Sequence, residues 1–182
     1  PLLKDSGDDF VGYVAAHGKP WPGGVDVWRS PEEETGYSLR LTIGLPATIG
    51  ETVSTLAPGR LWTWSPETVD VRLYSGTLVS RPEIDVLGGA NALAVAHPAG
   101  WEVLQFRDAE FLGDSTWRLS GLLRGQRGTE IVRSGALAAG ARVLVLDAAI
   151  AATPNEPGEV GRLYHWRAGP TGRDPFSTGF VH

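Results

Sequence analysis

The chain contains no cysteine. Disulfides, zinc–thiolate sites and thiol nucleophiles are therefore excluded, and cysteine usage says nothing about redox compartment. Methionine is absent too, and the first residue is Pro1. The sequence reads as a piece of a longer polypeptide. Long apolar runs are missing: Lys4, Asp5, Asp8 and Asp9 interrupt the start, so no signal-peptide core is visible. No run approaches the roughly 20 apolar residues that span a bilayer. An excess of positive charge is also missing. Lys+Arg number 16 against 21 Asp+Glu, a net charge of −5, which argues against a domain whose main task is gripping a phosphate backbone.

Glycine and proline, by contrast, are plentiful, at 24 and 13 residues. The longest stretch free of both runs from Ala141 to Thr153. Such punctuation excludes long helices, because proline lacks the N–H and glycine forfeits backbone entropy. The hydrophobic content of 42% is enough for a packed core and argues against global disorder.

Between the breakers lie short runs of Val, Leu, Thr, Trp and Tyr. They predict an all-β protein of antiparallel sandwich or small barrel units with very little helix. Candidate strands are Phe10–Ala15, Val25–Trp28, Tyr37–Ile43, Glu51–Thr55, Val69–Tyr74, Thr77–Ser80, Ala92–Ala96, Glu102–Glu110, Thr116–Leu123, Arg142–Leu146 and Gly161–Arg167. Ser75-Gly76 suits a tight hairpin, and Gly113-Asp114-Ser115 suits another. Val143 to Leu146 is apolar on both faces, the mark of a central strand. One helical turn is expected over Asp147–Ala152. The expected division is a β unit over 1–80, a second over 81–153 and a linker or tail over 154–182.

No catalytic set stands out. His17, His97, His165 and His182 are scattered without metal-ligand spacing, and His17 and His97 precede turn residues. No G-x-S-x-G occurs. Glu102, Asp108 and Glu110 fall on one face of an extended strand, a mixed face unlike a glycosidase cleft. The expectation is no catalytic residue, no metal and no cofactor. Arg124-Gly-Gln-Arg-Gly-Thr breaks a period-two strand. It is either an anion cradle or a β-turn whose arginines pair with Asp108, Glu110, Glu130 or a neighbouring subunit. Seven tryptophans are present. Trp62 and Trp64, at i and i+2, would share one side of an extended segment, and Trp21 between two prolines would be exposed. Such rings suit a core, a protein interface or a sugar face. The candidate subunit or partner contacts are Arg124, Arg127, Trp21, Trp62 and Trp64.

The stretch WRLSGLLRGQRGTE, with HGKPWPGGVDVWRS, ATIGETVSTLAPGRLWTW, VRLYSGTLVS, VLGGANALAV and GWEVLQF in the same order, resembles the C-terminal region of one family. That family is the large multidomain baseplate protein ("megatron", host-specificity protein) of gene transfer agents and related siphophage tail tips. The resemblance covers about Phe10 to Asp147. It implies a structural domain at the tail tip of a virion or phage-like particle, usually in a threefold assembly. Such a domain contributes to tail assembly and to host attachment or DNA delivery. The implied partners are other tail-tip or hub proteins, copies of itself, and a host-surface receptor or glycan. The family's glycosidase-like barrel lies in another part of the polypeptide, so no catalytic residue is carried over and the expectation is not an enzyme. No direct nucleic-acid binding and no membrane-spanning segment are expected. A carbohydrate-binding module using Trp21, Trp62 and Trp64 is the alternative reading, with a wall hydrolase behind it.

Overall fold

The structure, a computed structural model, describes residues 11–133 and 135–177. Eleven strands and one short α-helix form among them, with two single 3-10 turns. The strands are β1 (Val11–Val14), β2 (Val25–Ser30), β3 (Ser38–Ile43), β4 (Ile49–Thr52), β5 (Val69–Ser75), β6 (Ala92–His97), β7 (Gly100–Gly113), β8 (Thr116–Gln126), β9 (Arg142–Val145), β10 (Ala151–Pro154) and β11 (His165–Pro170). The helix α1 is Glu83–Leu87.

Contacts divide the chain into two compact units, one of residues 48–147 and one built from the segments on either side of it. This differs from the expected boundaries. Position 80 falls inside the first unit, because β5 pairs with β8 across it. The expected tail contains β11, which pairs with β2 along its whole length. A local composition shift cannot mark such boundaries, because strand pairing between distant segments sets them.

The first unit is a closed antiparallel barrel in the order β4-β5-β8-β7-β6-β9. Of the two β architectures expected, this unit takes the barrel. Closure leaves no open edge. Its interior is a single apolar cluster that includes Leu56, Val69, Val71, Leu93, Val95, Leu104, Phe106, Leu119, Leu122 and Val143. The alternation that predicted these strands supplies the lining: one side of each strand faces in. Gly50 lets β4 close on β5, for a Cβ there would lie 2.0 Å from the Arg72 carbonyl oxygen. The hairpin at Gly113-Asp114-Ser115 forms as expected, with Gly113 opposite Thr116. β9 lies between β4 and β6.

Three local expectations are corrected. Thr77–Ser80 is not a strand; the chain leaves β5 at Gly76 in an extended loop. The single helix is α1, not Asp147–Ala152, which is a bend running into β10. β10 is recruited by β1, from Val11 opposite Pro154 to Val14 opposite Ala151. Its short Ala-rich sequence carries no strand signal of its own, and pairing overrides propensity.

The second unit contains a three-stranded sheet β11-β2-β3 and the β1-β10 pair. Its core is small: Val25, Val27 and Ile43, with Val14, Trp21, Leu41 and Trp166 packed against it.

Candidate functional site

The barrel's interior is not apolar throughout. Glu102 on β7 is fully buried and points inward with Leu104 and Phe106. Arg124 on β8 is 2% exposed and grips it with two bonds, Nε to Oε1 and Nη2 to Oε2, each 2.7 Å. The Gly125 amide donates to Oε1 at 3.1 Å. His97, at the end of β6, places Nε2 2.9 Å from Oε2. Arg133, after the 3-10 turn Glu130–Val132, brings Nε within 3.3 Å of Oε1. One carboxylate thus faces two guanidinium groups and an imidazole in a space without bulk water. Burial, and then Arg124 beside it, push the Arg133 guanidinium below its ordinary pKa, while Glu102 and Glu67 oppose them. Both oxygens of this carboxylate are engaged within the fold. Its role is to hold β6, β7, β8 and the following turn in one register.

The same arginines hold a loop. Arg124 Nη1 donates to the Ala57 carbonyl at 2.6 Å, and Arg133 Nη2 to the Gly59 carbonyl at 3.2 Å. Leu56 exchanges backbone bonds with Leu137, and the Ser65 amide donates to the Leu122 carbonyl at 2.8 Å. The Ser65 hydroxyl donates to Glu67, and the Arg60 amide donates to that hydroxyl at 2.9 Å. Gly125, at φ +61°, gives Leu61 room to pack: a Cβ there would meet Leu61 Cδ2 at 2.8 Å and Glu130 Cα at 3.0 Å. At the tip of this pinned loop Trp62 takes φ +62° and is 84% exposed. Left-handed backbone costs a bulky residue about 1 kcal/mol or more. Arg60 and Arg127 are exposed as well. Ile131 is 81% exposed.

The five contact candidates therefore separate. Arg124 is an interior group and pairs with Glu102, not with Asp108, Glu110 or Glu130. The reading of it as a turn residue fails because β8 continues through it to Gln126. Arg127 occupies the true turn at φ +57° and is exposed. Trp64 is half-buried with the Arg107 guanidinium 5.8 Å from its ring centroid. Trp62 and Trp64 do not share an extended face, since the chain bends through Leu61–Thr63. Trp21 is half-buried against the core of the second unit.

The expected shared face of Glu102, Asp108 and Glu110 is also corrected. Inward residues run 104 and 106 and then 109 on β7, and 117 and 119 and then 122 on β8. The alternation changes between 106 and 109 on β7 and between 119 and 122 on β8, a span that includes Gly121 at φ +60°. Glu102 consequently points inward while Asp108 is bound by Arg107 at 2.9 Å on the partly exposed side. His97 is buried, not a surface turn residue, whereas His17 is exposed. His182 lies outside the described residues. Among the described residues no group of three or more His, Asp or Glu side chains is placed to hold a metal ion.

A family model described as Rcc01698-like, C-terminal matches residues 47–144. The chain belongs to that family. The name is one associated with gene transfer agents, and the matched span coincides with the barrel unit of residues 48–147. No curated protein matches the chain. Within the Rcc01698-like domain, sequence reasoning missed the Glu102–Arg124 pair. One signal was present: a charged residue at an inward position on each of two adjacent apolar strands. Opposite charges in such places usually find each other.

Proposed function

We propose that this Rcc01698-like domain is a structural domain of a phage-like tail-tip (baseplate, host-specificity) protein. In this reading it works at the tail tip of a virion or gene transfer agent particle, in contact with other tail-tip proteins and with copies of itself around a threefold axis. It contributes to assembly and to host attachment or DNA delivery, and it is not an enzyme. The family membership and the order of the resembling segments support the setting.

The observation that carries the contact role is Trp62. A tryptophan 84% exposed loses most of the stabilisation that its burial would bring. It also sits in a left-handed conformation on a loop held by at least four hydrogen bonds to the barrel. Such a ring is presented in advance, and little entropy remains to be lost when a partner covers it. Arg60 and Arg127 nearby complete a composition typical of interface anchors. The saturated Glu102 supports a non-catalytic barrel.

Electron microscopy of the intact particle tests the reading. The expected result is this domain at the distal tail end with Trp62 and Arg127 against neighbouring subunits. Trp62 facing solvent, or the domain lying away from the tail, would overturn it.

A further inference from the structure

The end of the barrel at the β6–β7 hairpin holds an open pocket of about 490 Å³. That lies within the range of small-molecule sites. His97, Pro98 and Trp101 line one part, and Gly140 and Arg142 another. All belong to the barrel unit.

The polar groups here are unspent. The side chain of Arg142, an exposed residue, makes no hydrogen bond or ion pair among the described residues. Its cross-strand neighbour Glu51 is already held by Arg72. His97 spends Nε2 on Glu102 and has no partner for Nδ1 among the described residues. Nδ1 is also not among the fully buried polar atoms that make no hydrogen bond. The side chain of His97 is 3% exposed, and the space it lines is this pocket. Its ring is fixed by a carboxylate that two arginines hold in turn, so the open nitrogen keeps one position. The Trp101 indole has one donor and a flat apolar face.

We propose that this pocket binds a carboxylate-bearing sugar ring, the unit of an acidic saccharide. The Arg142 guanidinium takes the carboxylate with a forked pair of N–H donors. Trp101 and Pro98 form the apolar wall for the C–H face of the ring, and His97 Nδ1 meets a hydroxyl. A simple carboxylate such as acetate would leave most of the volume and the tryptophan unused. The assignment rests on the barrel's geometry alone and stands or falls apart from the tail-tip reading.

Isothermal titration calorimetry of the whole chain with a trigalacturonate probe tests it. The expected result is saturable binding, roughly tenfold weaker for the neutral galactose trisaccharide, because one charge-assisted pair accounts for about that factor. Arg142→Gln, an exposed position, should weaken binding by about the same factor. Trp101→Leu should weaken it several-fold, and Arg118→Gln, on an arginine already paired with Asp70, should leave it unchanged. The proposal is overturned if folded protein shows no saturable heat, or if the neutral trisaccharide binds as well. Unaltered affinity in Arg142→Gln, or displacement by an equal concentration of acetate, overturns it too. Circular dichroism of each variant separates lost binding from lost folding.

Discussion

The two units of this protein bury their arginines by different means. In the barrel, Arg124 meets a carboxylate inside the apolar lining and both groups are sealed from water. In the second unit the arginines lie against aromatic faces. The Arg29 guanidinium sits 4.0 Å from the Tyr164 ring centroid and 5.7 Å from that of Trp166, and pairs with Glu159. Arg167 lies 4.8 Å from the Tyr37 centroid and 4.7 Å from that of Phe176. The barrel has a core large enough to enclose a charge. The smaller unit has a smaller apolar core, and covers its buried cationic stems with ring faces. An enclosed ion pair fixes geometry and is costly to break, whereas a stacked, partly wet one tolerates change. The family match covers the first kind of construction.

This contrast can be broken experimentally, most sharply at Glu102. Glu102→Gln leaves Arg124 and Arg133 buried without the carboxylate they both contact, with only Glu67 as a more remote counter-charge. It should destabilise the barrel by about 3–5 kcal/mol, seen as a lower urea midpoint for the barrel transition. A loss below 1 kcal/mol would mean that the network is hydrated and the contrast is misplaced. Gly50→Ala comes next. The added methyl meets backbone, not a movable side chain, and should cost on the order of 3 kcal/mol; an unchanged midpoint would show that β4 closes the barrel differently.

The second unit should respond to acid. Glu159 is held down to about 2 from its usual 4.5, chiefly by its bonds from Arg29 and then by the Glu156 amide. A lowered carboxylate contributes fully above about 4.5 and loses its contribution as pH falls toward about 2. Unfolding of this unit, followed by an NMR signal of Tyr164, should become easier across that window. In Arg29→Ala the dependence should largely vanish; if it persists unaltered, another carboxylate carries it. The smallest stability effect is expected at Trp62. Trp62→Ala should move the melting midpoint by no more than about 0.5 kcal/mol equivalent while lowering the yield of assembled particles. Normal yield would remove the contact role.

The fold class was legible because it is local. Period-two runs such as Val69–Tyr74 and Thr116–Leu123 need only their own residues to declare one apolar face, and Gly113-Asp114-Ser115 needs only its own φ angles. The extent of the units was not legible. β10 exists because β1 lies beside it, and β11 because β2 does. The surroundings of the candidate contact residues were legible in part. Arg127 and Trp62 are exposed as a contact role requires, but Arg124 was misread because a strand residue and a turn residue look alike beside two glycines.

The sequence by itself determined an all-β, cysteine-free chain with short strands, tight glycine turns and a net charge of −5. Only the tertiary structure decided that the first unit closes into a barrel, that the inward alternation of β7 and β8 changes along their length, and that Glu102 faces Arg124, Arg133 and His97. Periodicity is a property of neighbours along the chain. Closure and charge pairing are properties of neighbours in space, and backbone pairing brings those together from segments that carry no mark of one another.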